Sequence, residues 1–262
     1  MLIALWNMSH WQKSVQERAD AWQWLEGTGA DIALVQEAVP PSSLSKVVYK
    51  EIGNGRPWGS AVVGFSCAVT AITECKGRYN SQPVDLHRTV PGSVAVASAV
   101  VEGRTMTFVS MYGVIEDGYA DTTVNRQLSD LVPLFDNPSA SEALLLGGDL
   151  NITTQWVGGQ TRYRAWEAVT LQRLSAFGLR DVLDRLRPDG PLEGCDCLDE
   201  ICRHIHTQRH ARSARPWQND YVFASEGLLA GSRLKRAEVV DDEGLRRLSG
   251  HMPMLVELDL GD

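Results

Sequence analysis

The sequence has no excess of basic residues. It contains 25 Lys and Arg against 33 Asp and Glu, which gives a formal net charge of -8 and a pI near 5.3. A protein that coats nucleic acid relies on a broad positive field, so this composition excludes that class. It leaves room for a nucleic-acid enzyme in which a few basic side chains surround a local site.

Long apolar runs and a full set of paired cysteines are also missing. No run approaches the roughly 18 residues of a membrane-spanning helix, and the N-terminus carries no basic leader, so we expect neither a membrane span nor a signal peptide. Five cysteines are an odd number and fit a reducing compartment, so we expect a cytoplasmic protein. No obligate protein partner is evident from the sequence.

What is present is typical of a globular enzyme. Of the 262 residues, 44% are apolar and 22% charged, which is enough to bury a sizeable core. No linker divides the chain, so we predict a single domain over residues 1–262. We predict helices over 12–26, 120–135 and most of 163–187, and adjacent strand pairs at 58–64 with 68–74 and at 93–101 with 106–111. This mixture favours two packed, mostly antiparallel sheets covered by helices.

The most informative stretch runs from Ala143 to Asn151. It begins as an apolar run typical of a buried strand and breaks at two glycines before Asp149. Residues two apart on an extended chain face the same way, so Asp149 and Asn151 point into one space. A carboxylate can activate water or hold a metal, and an amide can donate to a phosphoryl oxygen. An Asx turn that merely ends a strand explains this motif equally well.

Other polar residues also stand at the ends of predicted strands. With Asp149 and Asn151, the set comprises Asn7, Glu37, Tyr112, Asp220 and His251. Several carboxylates beside one histidine call for a cation, and hard oxygen ligands favour Mg²⁺, Mn²⁺ or Ca²⁺. In hydrolytic phosphoryl transfer, a metal polarises the phosphate while a carboxylate aligns water. The set therefore predicts a metal-dependent phosphoester site.

In their order along the chain, these motifs resemble the endonuclease/exonuclease/phosphatase superfamily. That group includes pancreatic deoxyribonuclease, abasic-site endonucleases, inositol-phosphate phosphatases and neutral sphingomyelinases. The matching pieces are Trp6-Asn7, Gln36-Glu37, Tyr112, Gly148–Asn151, Asn219–Phe223 and Ser249–Pro253. The resemblance implies a four-layer α/β/β/α sandwich with two mostly antiparallel sheets and the site at one edge of both.

The resemblance also implies which residues handle the metal and the water. Glu37 would be the principal ligand of Mg²⁺ or Mn²⁺, with Asn7 in the same shell. Asp149 would orient or deprotonate the attacking water. Asn151 would bind the phosphate and help to align Asp149.

Around the phosphate, the resemblance implies a contact from Tyr112 and a His251 held by Asp220. Two departures from the family pattern weaken the match. Family members commonly carry Asp directly before the last histidine, where this chain has Gly250. Some also carry an acid two residues after the first Asn, where this chain has Ser9. Metal binding would then rest mainly on Glu37.

A second group of reactive side chains lies between residues 195 and 210. Cys195, Cys197, Cys202 and His204 could bind a structural zinc ion, because thiolate and imidazole are its usual ligands. Their spacing matches no common zinc motif. A disulfide within the loop and free thiols are the alternatives, and free thiols are the leading interpretation.

The same region holds a local basic patch in an otherwise acidic chain. Arg203, His206 and Arg209 precede Trp217 and could receive a phosphate backbone or a phosphorylated head group. Arg162 belongs to a weaker second patch. An exposed, solvated loop is the competing interpretation for both patches.

Three functions follow from these features. The first is a Mg²⁺- or Mn²⁺-dependent phosphoesterase that hydrolyses nucleic-acid phosphodiesters, that is, a nuclease. The second is a phosphatase or phosphodiesterase of a small phosphorylated molecule or lipid head group, which the acidic net charge favours. The third is a catalytically impaired relative that binds a ligand or partner, which Gly250 motivates.

Overall fold

The computed structural model of the protein describes residues 1–79, 82–155, 161–195, 197, 202–209 and 215–261, except for the side chains of 161–164. The strands are β1 (Leu2–Asn7), β2 (Ile32–Ala38), β3 (Val47–Gly53), β4 (Arg56–Gly64), β5 (Val69–Ala71), β6 (Glu74–Cys75), β7 (Val84–Asp85), β8 (Val94–Val101), β9 (Arg104–Met111), β10 (Leu144–Asp149), β11 (Leu179–Asp181), β12 (Gln208–Arg209), β13 (Pro216–Trp217), β14 (Asp220–Ser225), β15 (Arg233–Val239) and β16 (Met254–Asp259).

Helices connect and cover these strands. They are α1 (Val15–Gly27), α2 (Asp121–Phe135), α3 (Pro138–Ser141), α4 (Thr161–Ala176), α5 (Glu226–Ala230) and α6 (Glu243–Arg246), with 3₁₀ turns at His10–Gln12 and Val182–Leu186. In the described part of the chain, no helix is both long and apolar enough to cross a membrane.

Two six-stranded sheets form the centre of the molecule. The first sheet has the order β15-β16-β1-β2-β4-β3 and the second has the order β11-β14-β10-β9-β8-β5. In each sheet the two central strands are parallel, β1 with β2 and β10 with β9, and the other neighbours are antiparallel. The prediction of two mostly antiparallel sheets is confirmed.

The two sheets pack face to face, and helices cover their outer faces. Ile3 and Leu34 of the first sheet share a buried cluster with Phe108 and Leu145 of the second. The alternate residues of β1 face outward and pack against α1, while α2 and α4 cover the second sheet. Both faces of the central strands are buried, which explains their almost continuous apolar sequence. The four-layer α/β/β/α sandwich is confirmed.

One sequence-based expectation is wrong. Segments 58–64 and 68–74 do not pair with each other, because β4 joins the first sheet and β5 pairs with β8 in the second. The short segment between them crosses from one sheet to the other. Segment 163–187 is mostly helical, as predicted, but α4 ends at Ala176 and is followed by β11 and a 3₁₀ turn. Gly178, with a φ of 77°, follows the end of the helix.

The parallel pairs position the candidate site. Parallel strands end at the same edge of a sheet, so β1 and β2 deliver Asn7 and Glu37 together, while β9 and β10 deliver Tyr112 and Asp149. Glycine allows β10 to pass close to its neighbours. At Gly148 φ is 147°, and a Cβ there would lie 2.1 Å from the carbonyl oxygen of Met111.

Candidate active site

The polar strand ends meet in one cavity of about 740 Å³ at the shared edge of the two sheets. The predicted residues that line it are Glu37, Tyr112, Asp149, Asn151, Arg209, Gly250 and His251. Asn7 and Asp220 lie behind them and are hydrogen-bonded to lining residues. Residues from opposite ends of the sequence are thus brought together.

Asn7 is fully buried and links two carboxylates. Its Nδ2 donates to Oε1 of Glu37 at 3.1 Å and to Oδ2 of Asp149 at 2.7 Å. Its Oδ1 accepts from the backbone N–H of Ser9 at 2.9 Å, which fixes the orientation of the amide. An amide in this position presents both of its N–H groups to acids, so it holds Glu37 and Asp149 at a defined separation.

Three residues at the cavity have strained backbone conformations. Ser9, Glu37 and Asn151 have φ values of 48°, 47° and 49°, in the left-handed region that non-glycine residues rarely adopt. Each such residue costs on the order of 1–3 kcal/mol and persists where the surroundings determine it. At Glu37 the strain coincides with an irregularity in the pairing of β2 with β4. These backbone turns aim polar side chains into the cavity.

Two donors hold the carboxylate of Glu37. Besides Asn7, Trp11 donates its indole N–H to Oε2, and the phenol of Tyr112 lies near the same carboxylate. Burial raises the pKa of Tyr112, and the charges of Glu37 and Asp149 raise it further, so the phenol remains a donor. Tyr112 itself is fixed by an edge-on contact with Trp58, with ring centroids 5.3 Å apart.

Asp149 is surrounded by amides. Its Oδ1 accepts from the backbone N–H of Asn151 at 2.9 Å, and its Oδ2 accepts from Asn151 Nδ2 at 3.2 Å as well as from Asn7. Burial raises the pKa of Asp149; His251 opposes this rise, whereas Asp220 and Glu37 add to it. The carboxyl group can therefore take up a proton near neutral pH, as a general base must.

His251 is held by Asp220 and faces Asp149. Its Nδ1 lies 2.9 Å from Oδ2 of Asp220, which also accepts from Oγ1 of Thr207 at 2.8 Å. Its Nε2 lies 3.7 Å from Oδ2 of Asp149. Burial lowers the pKa of His251, but the carboxylates of Asp220 and Asp149 outweigh it and raise the pKa to about 9. The imidazole is therefore a cation in position to face a developing negative charge.

Gln208 makes an opposing contact that the sequence did not indicate. Its Nε2 lies 2.9 Å from Nε2 of His251, while its Oε1 accepts from Nδ2 of Asn219 at 2.6 Å. An N–H directed at Nε2 favours the neutral ring, whereas the carboxylates favour the protonated ring. We expect the carboxylates to dominate, because full charges in a buried site outweigh one amide dipole.

Hydroxyl groups and open space lie at the two positions, Ser9 and Gly250, where the resemblance predicts that an acid could stand. Ser249 donates from Oγ to the carbonyl oxygen of Asn7 at 2.6 Å and accepts from the N–H of His251 at 3.0 Å. Ser9 Oγ lies 3.4 Å from Ser249 Oγ. A Cβ at Gly250 would contact only the carbonyl oxygen of Arg209, at 3.5 Å. The local structure thus accommodates a side chain at residue 250.

The predicted substrate-binding residues lie in different surroundings. Arg209 lines the cavity and lies 3.6 Å from Asp241. His206 is buried and is not among the residues that line the cavity; burial and the charge of Arg209 lower its pKa. Arg203 instead donates to the carbonyl oxygens of Pro188 and Arg187 and is not among the residues that line the cavity. Arg162 lies in the first turn of α4, and its side chain is outside the described residues.

Two further basic residues line the cavity, although no sequence motif points to them. Lys13 lies just before α1, and Arg246 lies in α6, where it pairs with Asp241 at 2.8 Å. Both reach the cavity because the segments after β1 and before β16 lie beside each other at the same edge.

The donor set fits a hard divalent cation. When Asp149 is ionised, three carboxylates face one positive charge on His251, so the buried site has an excess of negative charge that a divalent ion would offset. Of the three carboxylates, Glu37 lines the cavity and is not paired with His251. Ligand atoms of Asp149, Asp220 and His251 also lie within 4.8 Å of one another. Because hydrogen bonds occupy both oxygens of Asp220, we interpret that trio as a charge pair with a nearby base.

No family profile and no curated protein matches the sequence. Solved structures do match. The endonuclease domain of TRAS1, a telomere-specific non-LTR retrotransposon, is 18% identical with a TM-score of 0.62, covering 100% of this chain and 99% of that chain. Danio rerio TDP2 in complex with a single-strand DNA product is 15% identical, with a TM-score of 0.64 and coverage of 99% and 98%.

An AP endonuclease from Archaeoglobus fulgidus is 16% identical with a TM-score of 0.58, and each chain is covered to 99%. Identities this low establish a shared fold and leave activity to the residues of the site. The chain shares the fold of these three structures.

Proposed function

We propose that the protein is a divalent-metal-dependent phosphoesterase that hydrolyses phosphodiester bonds in nucleic acid. The observation that carries the proposal is the placement of His251 opposite Asp149. A paired, cationic imidazole and a carboxylate of raised pKa face each other 3.7 Å apart at the cavity wall. A charge stabiliser and a base in this relation suit in-line attack of water on a phosphate.

In this mechanism each residue has a defined task. Asp149 accepts a proton from the water that attacks phosphorus, while Asn7 and Asn151 hold its carboxylate in place. His251 donates a hydrogen bond to a phosphoryl oxygen as negative charge develops, and Asp220 keeps the ring charged. Mg²⁺ or Mn²⁺ held by Glu37, with Asn7 beside it, would supply charge neutralisation at the phosphate.

The cavity rim supports nucleic acid as the substrate. Lys13, Arg209 and Arg246 line the cavity together with Trp11, whose side chain is 56% exposed. Cations that follow a phosphate backbone, beside an aromatic ring on which a base can stack, are the usual features of a single-strand groove. The solved structures with this fold include a DNA-product complex of TDP2.

Small phosphorylated molecules are the second candidate, and the net charge of -8 favours them. The two are separated by competition. Turnover of a chromogenic phosphodiester in Mg²⁺ or Mn²⁺ is measured with added single-stranded DNA, duplex DNA, RNA or an inositol phosphate. We expect competitive inhibition by a nucleic acid. Inhibition by the inositol phosphate alone would assign the site to small substrates.

Gly250 motivates a third candidate, a binding protein without catalysis. A metal-binding titration with Mn²⁺, followed by electron paramagnetic resonance, addresses it directly. We expect the protein to bind Mn²⁺ and Glu37→Gln to bind it much more weakly. Equal, negligible binding by both proteins would favour the binding module over the enzyme.

A further inference from the structure

Outside the cavity, the loop before β12 brings thiols and an imidazole together. Sγ of Cys195 lies 3.5 Å from Sγ of Cys202, and Sγ of Cys202 lies 2.9 Å from Nδ1 of His204. All three ligand atoms lie within 4.8 Å of one another. Cys202 and His204 are buried, with 1% and 5% of their surfaces exposed. The cluster is therefore a compact, nearly dry set of soft ligands.

These three side chains supply most of a structural zinc site. Two thiolates and one imidazole are ligands that zinc prefers, and a fourth ligand, from water or another side chain, would complete its tetrahedral coordination. Cys197 follows Cys195 closely in the sequence, but its sulfur is not among the ligand atoms that lie within 4.8 Å of one another.

The second nitrogen of His204 has the partner that a metal ligand requires. Its Nε2 lies 2.9 Å from Oγ1 of Thr154. A histidine that binds a metal through one ring nitrogen almost always donates the other N–H to a neighbouring oxygen, which fixes the tautomer. Here that bond leaves the lone pair of Nδ1 directed at the thiols.

We propose that Cys195, Cys202 and His204 bind one structural zinc ion, with a fourth ligand from water or another side chain. Zn–S bonds of about 2.3 Å in a tetrahedral site place two sulfurs about 3.8 Å apart, near the observed 3.5 Å between Cys195 and Cys202. The 2.9 Å from Sγ of Cys202 to Nδ1 of His204 would widen to about 3.5 Å when the metal binds. A disulfide requires about 2.05 Å and would give no role to the fixed ring of His204. Thiolate and imidazole together select Zn²⁺ over the hard cation expected at Glu37.

The zinc ion would fix the positions of two segments that adjoin the phosphoester site. Thr154, which bonds His204, and Gln155, whose Nε2 lies 3.5 Å from Sγ of Cys195, belong to the loop that follows Asn151. On the other side, His204 is followed by Thr207 and Gln208, which contact Asp220 and His251. The proposal does not depend on phosphodiester cleavage, because the cluster stands on its own geometry.

The test measures zinc directly. Protein purified without chelators is analysed for metal content by plasma mass spectrometry. We expect one zinc per chain, and a fall to below about 0.2 per chain in Cys202→Ser and Cys195→Ser. Cys67→Ser and Cys75→Ser are the matched controls, because both residues are free thiols outside the cluster, and both variants should retain the metal. Replacing zinc with Co²⁺ should produce a thiolate-to-cobalt charge-transfer band that Zn²⁺ abolishes.

Thiol counting in the denatured protein decides between the alternatives. Five reactive thiols without bound zinc, and without a cobalt band after Co²⁺ is added, would overturn the proposal in favour of free cysteines. Loss of two thiols that a reductant restores would overturn it in favour of a disulfide. Full zinc retention in both Cys202→Ser and Cys195→Ser would place the metal elsewhere. If Cys202→Ser does not fold, the cobalt spectrum of the parent protein still separates a zinc site from free cysteines.

Discussion

The side-chain amide of Asn7 donates to Oδ2 of Asp149 at 2.7 Å and so joins the last residue of β1 to the last residue of β10. These strands lie at the centres of different sheets, and each is half of the one parallel pair in its sheet. The same amide also reaches Glu37. One buried side chain therefore sets the distance between the candidate metal ligand and the candidate base.

Replacing Asp220 should disable His251 without moving it. In Asp220→Asn the neutral amide keeps a hydrogen bond to Nδ1 but removes the charge that raises the pKa of His251. We expect turnover at neutral pH to fall by about 10²-fold or more, measured as the initial rate on a phosphodiester.

Thr207→Val is the matched control, because it removes a hydrogen bond to Asp220 and leaves the carboxylate charge in place. Its rate should fall less than about tenfold. Equal losses in the two variants would show that Asp220 acts through structure alone.

Gly250→Asp should add a metal ligand at little structural cost. A Cβ at this position meets only the carbonyl oxygen of Arg209 at 3.5 Å, an ordinary contact. We expect an unchanged melting temperature and a decrease of about tenfold in the Mg²⁺ concentration for half-maximal activity. Gly250→Ala supplies the same Cβ without the carboxylate and should behave like the parent. Identical Mg²⁺ dependence in the Asp and Ala variants would contradict the position assigned to the missing acid.

Trp11 should compete with the metal for Glu37. Its indole N–H occupies Oε2 of that carboxylate, so Trp11→Phe keeps the ring and frees a lone pair. We expect half-maximal activity at a Mg²⁺ concentration about two- to fivefold lower, since one charge-assisted hydrogen bond no longer has to be broken. Trp166→Phe, on the exposed face of α4, serves as the control. A weaker Mg²⁺ response in Trp11→Phe would assign Trp11 to the metal shell instead.

His10 should make stability depend on pH. It is 1% exposed, its Nδ1 accepts from the N–H of Val39 at 2.9 Å, and burial followed by the charge of Arg18 lowers its pKa to about 4. The unfolded chain, with an ordinary pKa near 6.5, binds the proton first as pH falls. The contribution of neutral His10 to the free energy of unfolding is thus complete above about pH 6.5 and is lost as the pH falls from about 6.5 to about 4.

Between pH 7 and pH 5, His10 should account for about 2 kcal/mol of the loss in the free energy of unfolding. His10→Gln retains an acceptor for Val39 and does not titrate, so its urea unfolding curves should depend less on pH by that amount. Equal pH dependence in the two proteins would mean that folding does not lower the pKa of His10.

The sequence grouped the residues that meet at the cavity better than it predicted which strands pair. Each site residue adjoins an apolar strand and carries a side-chain type that constrains the chemistry, so Asn7, Glu37 and Asp149 could be grouped before their distances were known. The assignment of each strand to one of the two sheets had no such signal in the sequence. Strand β5 spans Val69–Ala71, too short to show a period, and nothing in its composition predicts that it crosses to the second sheet.

Some local errors had a signal that could have been used. Helix α1 begins at Val15 and not at residue 12, because Ser14 and Glu17 form a capping box. The S-x-x-E spacing in the sequence predicts this cap. The contacts of Trp11 and Gln208 had no signal in the sequence. They arise where separate segments meet at the cavity rim, so only the packed structure brings them to Glu37 and His251.

The role of Asp149 as the base of a metal-dependent phosphodiesterase is tested most directly by cleavage of end-labelled DNA and RNA oligonucleotides. The protein and Asp149→Asn are compared in Mg²⁺, in Mn²⁺ and in a chelator. We expect cleavage by the parent that the chelator abolishes, and a rate at least about 10²-fold lower in Asp149→Asn. Equal cleavage by the two proteins, cleavage that survives the chelator, or no cleavage by the parent would contradict that role.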